Sequence, residues 1–439
     1  MYGDYGSGTS KKKNFSSLDR LKKTAIDFDI NDKLSNFREE FIIPENKIYL
    51  DGNSLGLLSK NTLSNLNTTI KEEWGNDLIS SWNKSWVDLP KNISRKIASI
   101  INSKEEEVYV GSSTSNNLYK LIKSILDANK DIKSISTDSL NYPSDKYICE
   151  GVSKDYNIDF NLLDHGNDSL PNIENLKKFI LKTKGILILS HVTYKSSYRY
   201  PIIEINRFCK DNDTIVIWDL SHSIGAVDID MNHNELNYAV GCTYKYLNGG
   251  PGSPAFIYVR KSEISKLKSP IKGWFSHENP FDFSSEYKES DSMNKFSNGT
   301  PHILSLVTLK TSLDITINAS TKRLENKSEN LFKFFHSIYE NELKNLNFEL
   351  ITPENKNERG SHISIKHEEA WRISKCLIYP TNQNSKEIIV DYRPNNIIRI
   401  ALTPLYTSFE DIYCFCFRII EIIKKAEFEK KDTSMQGVT

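Results

Sequence analysis

The middle of this chain has a rhythm that few folds accommodate. Short apolar runs alternate with stretches of helical spacing. Val108-Tyr109-Val110 precedes a polar turn and then apolar positions at helical intervals from Leu118 to Ile125. Ile135-Ser136-Thr137 precedes the turn Tyr142-Pro143-Ser144. Ile186-Leu187-Ile188-Leu189 leads into a helical stretch from Ile203 to Lys210, and Thr214-Ile215-Val216-Ile217-Trp218 follows. Strands that are apolar on both faces need cover on both faces, so this alternation predicts an α/β fold with a mostly parallel sheet between helices. After about Leu313 the rhythm changes. A helix is expected from Lys322 to Tyr339, then strands at Phe348–Ile351, His362–Ile365, Ile388–Tyr392 and Ile397–Leu402, then a helix from Ser408 to about Ala426. That is a smaller α+β unit. The expected division is a flexible tail over 1–13, a segment over 14–60 that packs with the small domain, a large domain over 61–312 and a small domain over 313–439.

Composition narrows the partners. The 57 basic and 57 acidic side chains cancel, so charge gives no reason to expect nucleic acid or an anionic membrane. No apolar run is long enough to span a bilayer. The six cysteines are scattered without paired zinc-type spacing, which predicts no metal centre and reduced thiols in a cytoplasmic protein. Cys242 reads as packing.

The densest chemistry lies in Trp218-Asp219-Leu220-Ser221-His222-Ser223 and in Cys242-Thr243-Tyr244-Lys245-Tyr246-Leu247-Asn248-Gly249-Gly250-Pro251-Gly252. An acid stands at the end of a buried strand, and a lysine follows a second short apolar run, Tyr238–Gly241. Ligands of open parallel sheets bind at such strand ends. Pyridoxal phosphate (PLP) chemistry needs this set: a lysine to hold the cofactor aldehyde and a carboxylate to pair with the pyridine nitrogen. Lys245 and Asp219 are the candidates. His222 could lie beside the ring or hold Asp219 in place.

These segments resemble the signature of kynureninases, within the fold-type I, aminotransferase class V-like superfamily of PLP enzymes. Gly52-Asn53-Ser54-Leu55-Gly56, Gly273-Trp274-Phe275, Gly299-Thr300-Pro301 and Arg399 through Pro404-Leu405-Tyr406 match the family in the same order, so the resemblance spans roughly Ile48 to Ile420. It implies a seven-stranded, mostly parallel sheet, PLP as cofactor, a homodimer, and hydrolysis of a kynurenine-type small molecule. It places phosphate contacts at Thr114 and Ser115, and an aromatic residue on the cofactor ring at Tyr142, where the family usually has Phe. It puts Ser144, Asp145 and Ser190 near the cofactor, although Lys195-Ser196-Ser197 departs from the Thr-Gly common nearby. It assigns Tyr244 to the phosphate and to proton donation. Trp274 and Thr300 would contact the cofactor across a dimer interface, Arg399 would grip the substrate carboxylate with Arg393 as rival, and Ser54, Trp82 and Gly299 would lie near the aryl end. The Gly299-Thr300 pair looks more like bacterial kynureninases, associated with kynurenine over 3-hydroxykynurenine. Two alternatives stay open. One is a cysteine desulfurase or selenocysteine lyase of the same fold, for which Cys376 could be proposed as the thiol, although no flanking signature supports it. The other is a degenerate homologue serving as a scaffold.

Overall fold

A computed structural model of the chain describes residues 10–167, 169–382, 385–432 and 434. Its strands, in chain order, are β1 (Lys47–Tyr49), β2 (Val108–Val110), β3 (Ser134–Asp138), β4 (Asp159–Leu163), β5 (Gly185–Ser190), β6 (Thr214–Asp219), β7 (Tyr238–Gly241) and β8 (Phe256–Val259). There follow β9 (Glu349–Leu350), β10 (His362–Lys366), β11 (Glu387–Ile389), β12 (Asp391–Arg393) and β13 (Ile397–Ala401).

The large domain is built on a seven-stranded sheet in the order β2-β8-β7-β6-β5-β3-β4. β8 alone runs against its neighbours, and all pairs from β7 to β4 are parallel. Side chains alternate across this sheet. Leu187, Leu189 and Trp218 enter one buried cluster, and Ile186, Ile188 and Ile217 enter another on the opposite face. Each face is therefore covered, as apolar parallel strands require. The same alternation puts Asp219 on the face of Ile217 and Ser190 on the face of Ile188.

The small domain holds the antiparallel sheet β12-β13-β10-β9. Ile363, Ile365, Ile398 and Ile400 line its core, with Leu331, Phe335, Ile373 and Phe415 from the helices Thr321–Ile338, Ala370–Ile378 and Phe409–Lys424. Ala25, Ile48 and Leu50 from the first part of the chain enter that same core. β1 pairs in parallel with β11, and the Asp29 carboxylate accepts hydrogen bonds from the Phe409 and Glu410 amides at 2.8 and 2.9 Å. Those amides begin a helix and have no partner within it, so Asp29 satisfies them from outside.

Three sequence expectations need correction. A helix already begins at Ser10, so the tail drawn to residue 13 ends sooner; residues 1–9 lie outside the described residues. The boundary after 312 falls inside the helix Ile303–Ala319, whose Leu306, Leu309 and Leu313 pack into the large-domain core. That helix ends at Ser320, where the backbone turns with φ of 67°. Strands β1, β4 and β8 were not foreseen: β1 is only three residues long, β4 is only half-buried, and β8 follows a Gly/Pro turn that masks it.

Candidate active site

The carboxyl ends of β3, β5, β6 and β7 converge, and the segments leaving them carry the chemistry. β6 ends on Asp219, which is buried and whose Oδ1 accepts from the Ser221 amide at 2.9 Å and the Ser221 hydroxyl at 2.6 Å. Beyond β3, Pro143 opens the helix Pro143–Tyr156 and sets Asp145 in its first turn. Asp145 is also buried, and its Oδ2 has no hydrogen-bond partner. Burial, and then the charge of Asp219, hold the Asp145 carboxyl well above the usual carboxylate range. Burial also raises Asp219, against the opposing hydrogen bond of Ser221 and the charge of Lys245. Two buried acids facing one another cannot both ionise without a cation between them.

Lys245 leaves β7 through a non-strand stretch, so consecutive residues are freed from strand alternation, and both Lys245 and Tyr244 reach the site. The Lys245 Nζ is buried, 3.2 Å from His222 Nε2, 5.6 Å from the centre of the Tyr142 ring and 5.7 Å from that of Tyr244. Among the described residues, no carboxylate forms an ion pair with it. Burial, then the positive charges of Lys245 and Arg399, push the His222 imidazole well below its usual range, so it is neutral. His222 therefore accompanies the lysine, and Ser221, not His222, steadies Asp219. Burial raises the Tyr244 phenol, which keeps it a proton donor at neutral pH.

The remaining expected contacts divide into two groups. Tyr142 packs edge-on to Tyr194 at 5.3 Å, and Ser190 donates to Asn141 Oδ1 at 2.5 Å. Ser144 stands 3.4 Å from Asp145 Oδ1. Thr114 and Ser115 begin the helix Thr114–Ala128 behind the cap residue Ser113, so their amides belong to the first turn, which suits an anion. Arg399 donates from Nε to Asp391 Oδ2 at 2.6 Å, from Nη1 to the Tyr194 carbonyl at 2.6 Å and from Nη2 to Ser54 Oγ at 3.2 Å. Arg393 sits 3.2 Å from the same Asp391 oxygen and serves that carboxylate. Thus Tyr142 and Tyr194 link the lysine to Arg399 and Ser54.

The second group is not brought to Lys245 within one chain. Trp82 packs against Trp86 at 5.7 Å and Phe275 at 6.2 Å. Trp274 is 43% exposed and packs on Phe275, Phe281 and Phe283. Thr300 is exposed, and a carbon added at Gly299 would meet nothing within 4 Å. Sequence reasoning missed Asp391, Asn141, Ser113 and His362; only the last carried a signal, a polar His-x-Ser alternation inside an isoleucine strand. Cys376 lies in the small-domain core, away from the site, and the buried Cys242 thiol faces the Ser221 carbonyl at 3.8 Å and borders Tyr244.

A PLP ring suits this arrangement. A protonated ring nitrogen is the cation that a pair of buried acids lacks, and an unpaired buried amine is free to meet an aldehyde. The fold and the residues at its strand ends define a PLP-dependent enzyme of fold type I. Two solved structures share that fold: a cysteine desulfurase from Thermococcus onnurineus NA1, and a C-DES mutant with glycine covalently linked to PLP. The first has a TM-score of 0.76 at 17% identity, covering 89% of this chain and 98% of the other. The second has a TM-score of 0.74 at 13% identity, covering 87% and 98%. A family model described as the kynureninase C-terminal domain matches residues 324–419. The kynureninase of Pseudomonas fluorescens is 34% identical over 399 residues, 89% of this chain and 93% of the relative. The chain belongs to the kynureninase family.

Proposed function

We propose that this enzyme hydrolyses the Cβ–Cγ bond of L-kynurenine, releasing anthranilate and L-alanine, with 3-hydroxykynurenine as a further substrate. The observation that carries the assignment of roles is the buried, unpaired Lys245 amine, flanked by the neutral His222 and the aromatic ring of Tyr142. Bound PLP supplies an aldehyde for that amine and a protonated ring that withdraws electrons from the α-carbon of the amino acid.

The chain's own residues do the rest. Asp219 and Asp145 hold the proton on the ring nitrogen, because burial makes an uncompensated carboxylate costly there. The amides of Thr114 and Ser115 would hold the phosphate, and Tyr142, Ser144 and Ser190 would help hold the ring. Arg399 receives the substrate carboxylate, which orients the α-proton toward Lys245. Lys245, whose amine would hold the aldehyde in the resting enzyme, takes that proton as a base. Tyr244 delivers a proton to the γ-carbonyl oxygen as water adds to the carbonyl carbon, then takes one back from the resulting diol as the Cβ–Cγ bond breaks, and the electron pair left on Cβ takes up the proton that the water gave up. Ser54, Trp82 and Gly299 border the aryl group.

Trp274 and Thr300 complete the site from a second copy, and the enzyme acts as a homodimer. The exposed rings of Trp274, Phe281 and Phe283 support this, because such rings are common at interface cores. A cytoplasmic location is supported by six unpaired cysteines. No helix among the described residues is long and apolar enough to cross a membrane.

Anthranilate fluorescence, followed with kynurenine and 3-hydroxykynurenine in parallel, tests the activity. Lys245→Ala abolishes both turnover and the visible absorbance of lysine-bound PLP; retained turnover would overturn the assignment of Lys245.

A further inference from the structure

The small-domain sheet presents two faces. Ile363, Ile365, Ile398 and Ile400 point into its core, so His362, Ser364, Arg399 and Ala401 point the other way. Ser364 is opposite Arg399 in the register and His362 is opposite Ala401, so His362 is a diagonal neighbour of Arg399 on one face. That face looks onto the large domain: Arg399 reaches the Tyr194 carbonyl, and the His362 amide reaches Ser197 Oγ at 3.3 Å. The His362 ring is 5.8 Å from the His222 ring, which is itself 3.2 Å from the Lys245 amine. His362 therefore stands between the lysine and the arginine.

His362 is 0% exposed, and neither of its ring nitrogens has a hydrogen-bond partner. The Tyr194 carbonyl bears on it without meeting it in hydrogen-bond geometry, and that oxygen accepts from Arg399 Nη1 at 2.6 Å. Burial, with the charges of Arg399, Lys245 and Arg393 around it, keeps the imidazole neutral. A neutral imidazole carries one N–H, and a buried N–H without an acceptor is destabilising. The acceptor expected beside Arg399 is the substrate carboxylate. Arg399 cannot saturate that group alone, because most of its N–H groups are engaged by Asp391, Tyr194 and Ser54.

We propose that His362 donates a hydrogen bond to the α-carboxylate of the amino-acid substrate, sharing that group with Arg399. The inference rests on the reading of Arg399 given under the proposed function.

The test compares each ligand with its counterpart lacking the carboxylate. The holoenzyme is titrated with L-kynurenine and with the amine formed by removing its carboxylate, and with L-alanine and ethylamine; binding is read from the visible absorbance. His362→Phe weakens L-kynurenine and L-alanine about 10- to 100-fold, the worth of one hydrogen bond to a charged group. The two amines change less than about threefold. His362→Gln keeps an N–H and stays within about fivefold of the wild type. If the phenylalanine is not accommodated, His362→Leu, which is no larger, makes the same comparison. Equal weakening of acids and amines, unchanged binding of the acids, or a glutamine variant as impaired as the phenylalanine one would each overturn the proposal. Alanine and ethylamine involve no C–C cleavage. A wild type that does not split kynurenine thus refutes the assigned reaction while leaving the role of His362 to be read from that pair.

Discussion

Gly56→Ala is a one-carbon test of how the N-terminal segment sets the position of Lys245. The Gly56 amide donates to the Tyr244 carbonyl at 2.7 Å, and the next amide, of Leu57, donates to Asn248 Oδ1 at 3.1 Å. A carbon added at Gly56 would lie 2.4 Å from the Lys245 carbonyl oxygen and 2.6 Å from the Asn248 Cα, whereas ordinary contact begins at 3.4 Å. The Asn248 side-chain oxygen, also at 2.4 Å, could swing aside, but these two obstacles are main chain and cannot. The loop that carries Lys245 has to move by about 1 Å, a misplacement that can lower a rate about 100-fold. Overpacking of this kind also destabilises by about 1–3 kcal/mol. The control is Gly151→Ala, on the exposed side of the helix Pro143–Tyr156, where the added carbon meets nothing within 4 Å. Alanine there should stabilise by about 0.5–1 kcal/mol and leave the rate alone. The assays are anthranilate release under saturating kynurenine, visible absorbance for cofactor attachment, and thermal unfolding. A Gly56→Ala enzyme with both the rate and the melting temperature of the wild type would refute the claim that this close approach sets the lysine.

Two further perturbations probe the buried ionic cluster. Asp391→Ala strips the buried Arg399 of its carboxylate partner and leaves an uncompensated charge, at a cost of about 3–5 kcal/mol. A lower melting temperature and a raised KM are expected, and an unchanged melting curve would contradict this. Asp51 has its carboxyl pushed up from 3.8 to about 7 by burial and then by the charge of Asp391. The folded state keeps a proton that the unfolded state releases, so this group makes stability fall as pH rises from about 4 to about 7. Asp51→Asn removes that slope: its melting temperature relative to the wild type should be higher at about pH 8 than at about pH 5. A difference that does not depend on pH would exclude the shift.

Local pattern was enough for the parts of this enzyme that depend on strand ends and turns. An acid closing an apolar strand, and a lysine shortly after another, already pointed to one cofactor, because parallel strands of this kind deliver their ends to a single edge. The wholly apolar runs 186–189 and 215–218 likewise declared a sheet covered on both faces. Other features came only with the packed chain. The helix Ile303–Ala319 carries apolar residues around most of its circumference, so no boundary could be read from it, and its partners in the large domain decided its place. His362 shows in the sequence only as part of a polar alternation inside an isoleucine strand, and its role stays hidden until β10 pairs with β13 and turns it toward Arg399. Asp391 and Asp51 become a charged network only because β12 and the segment after β1 meet across the whole length of the chain. Spacing along a sequence encodes the period of an element and the face a residue takes. The partner that a buried charge finds is a property of three-dimensional packing, and desolvation gives that choice its energetic weight.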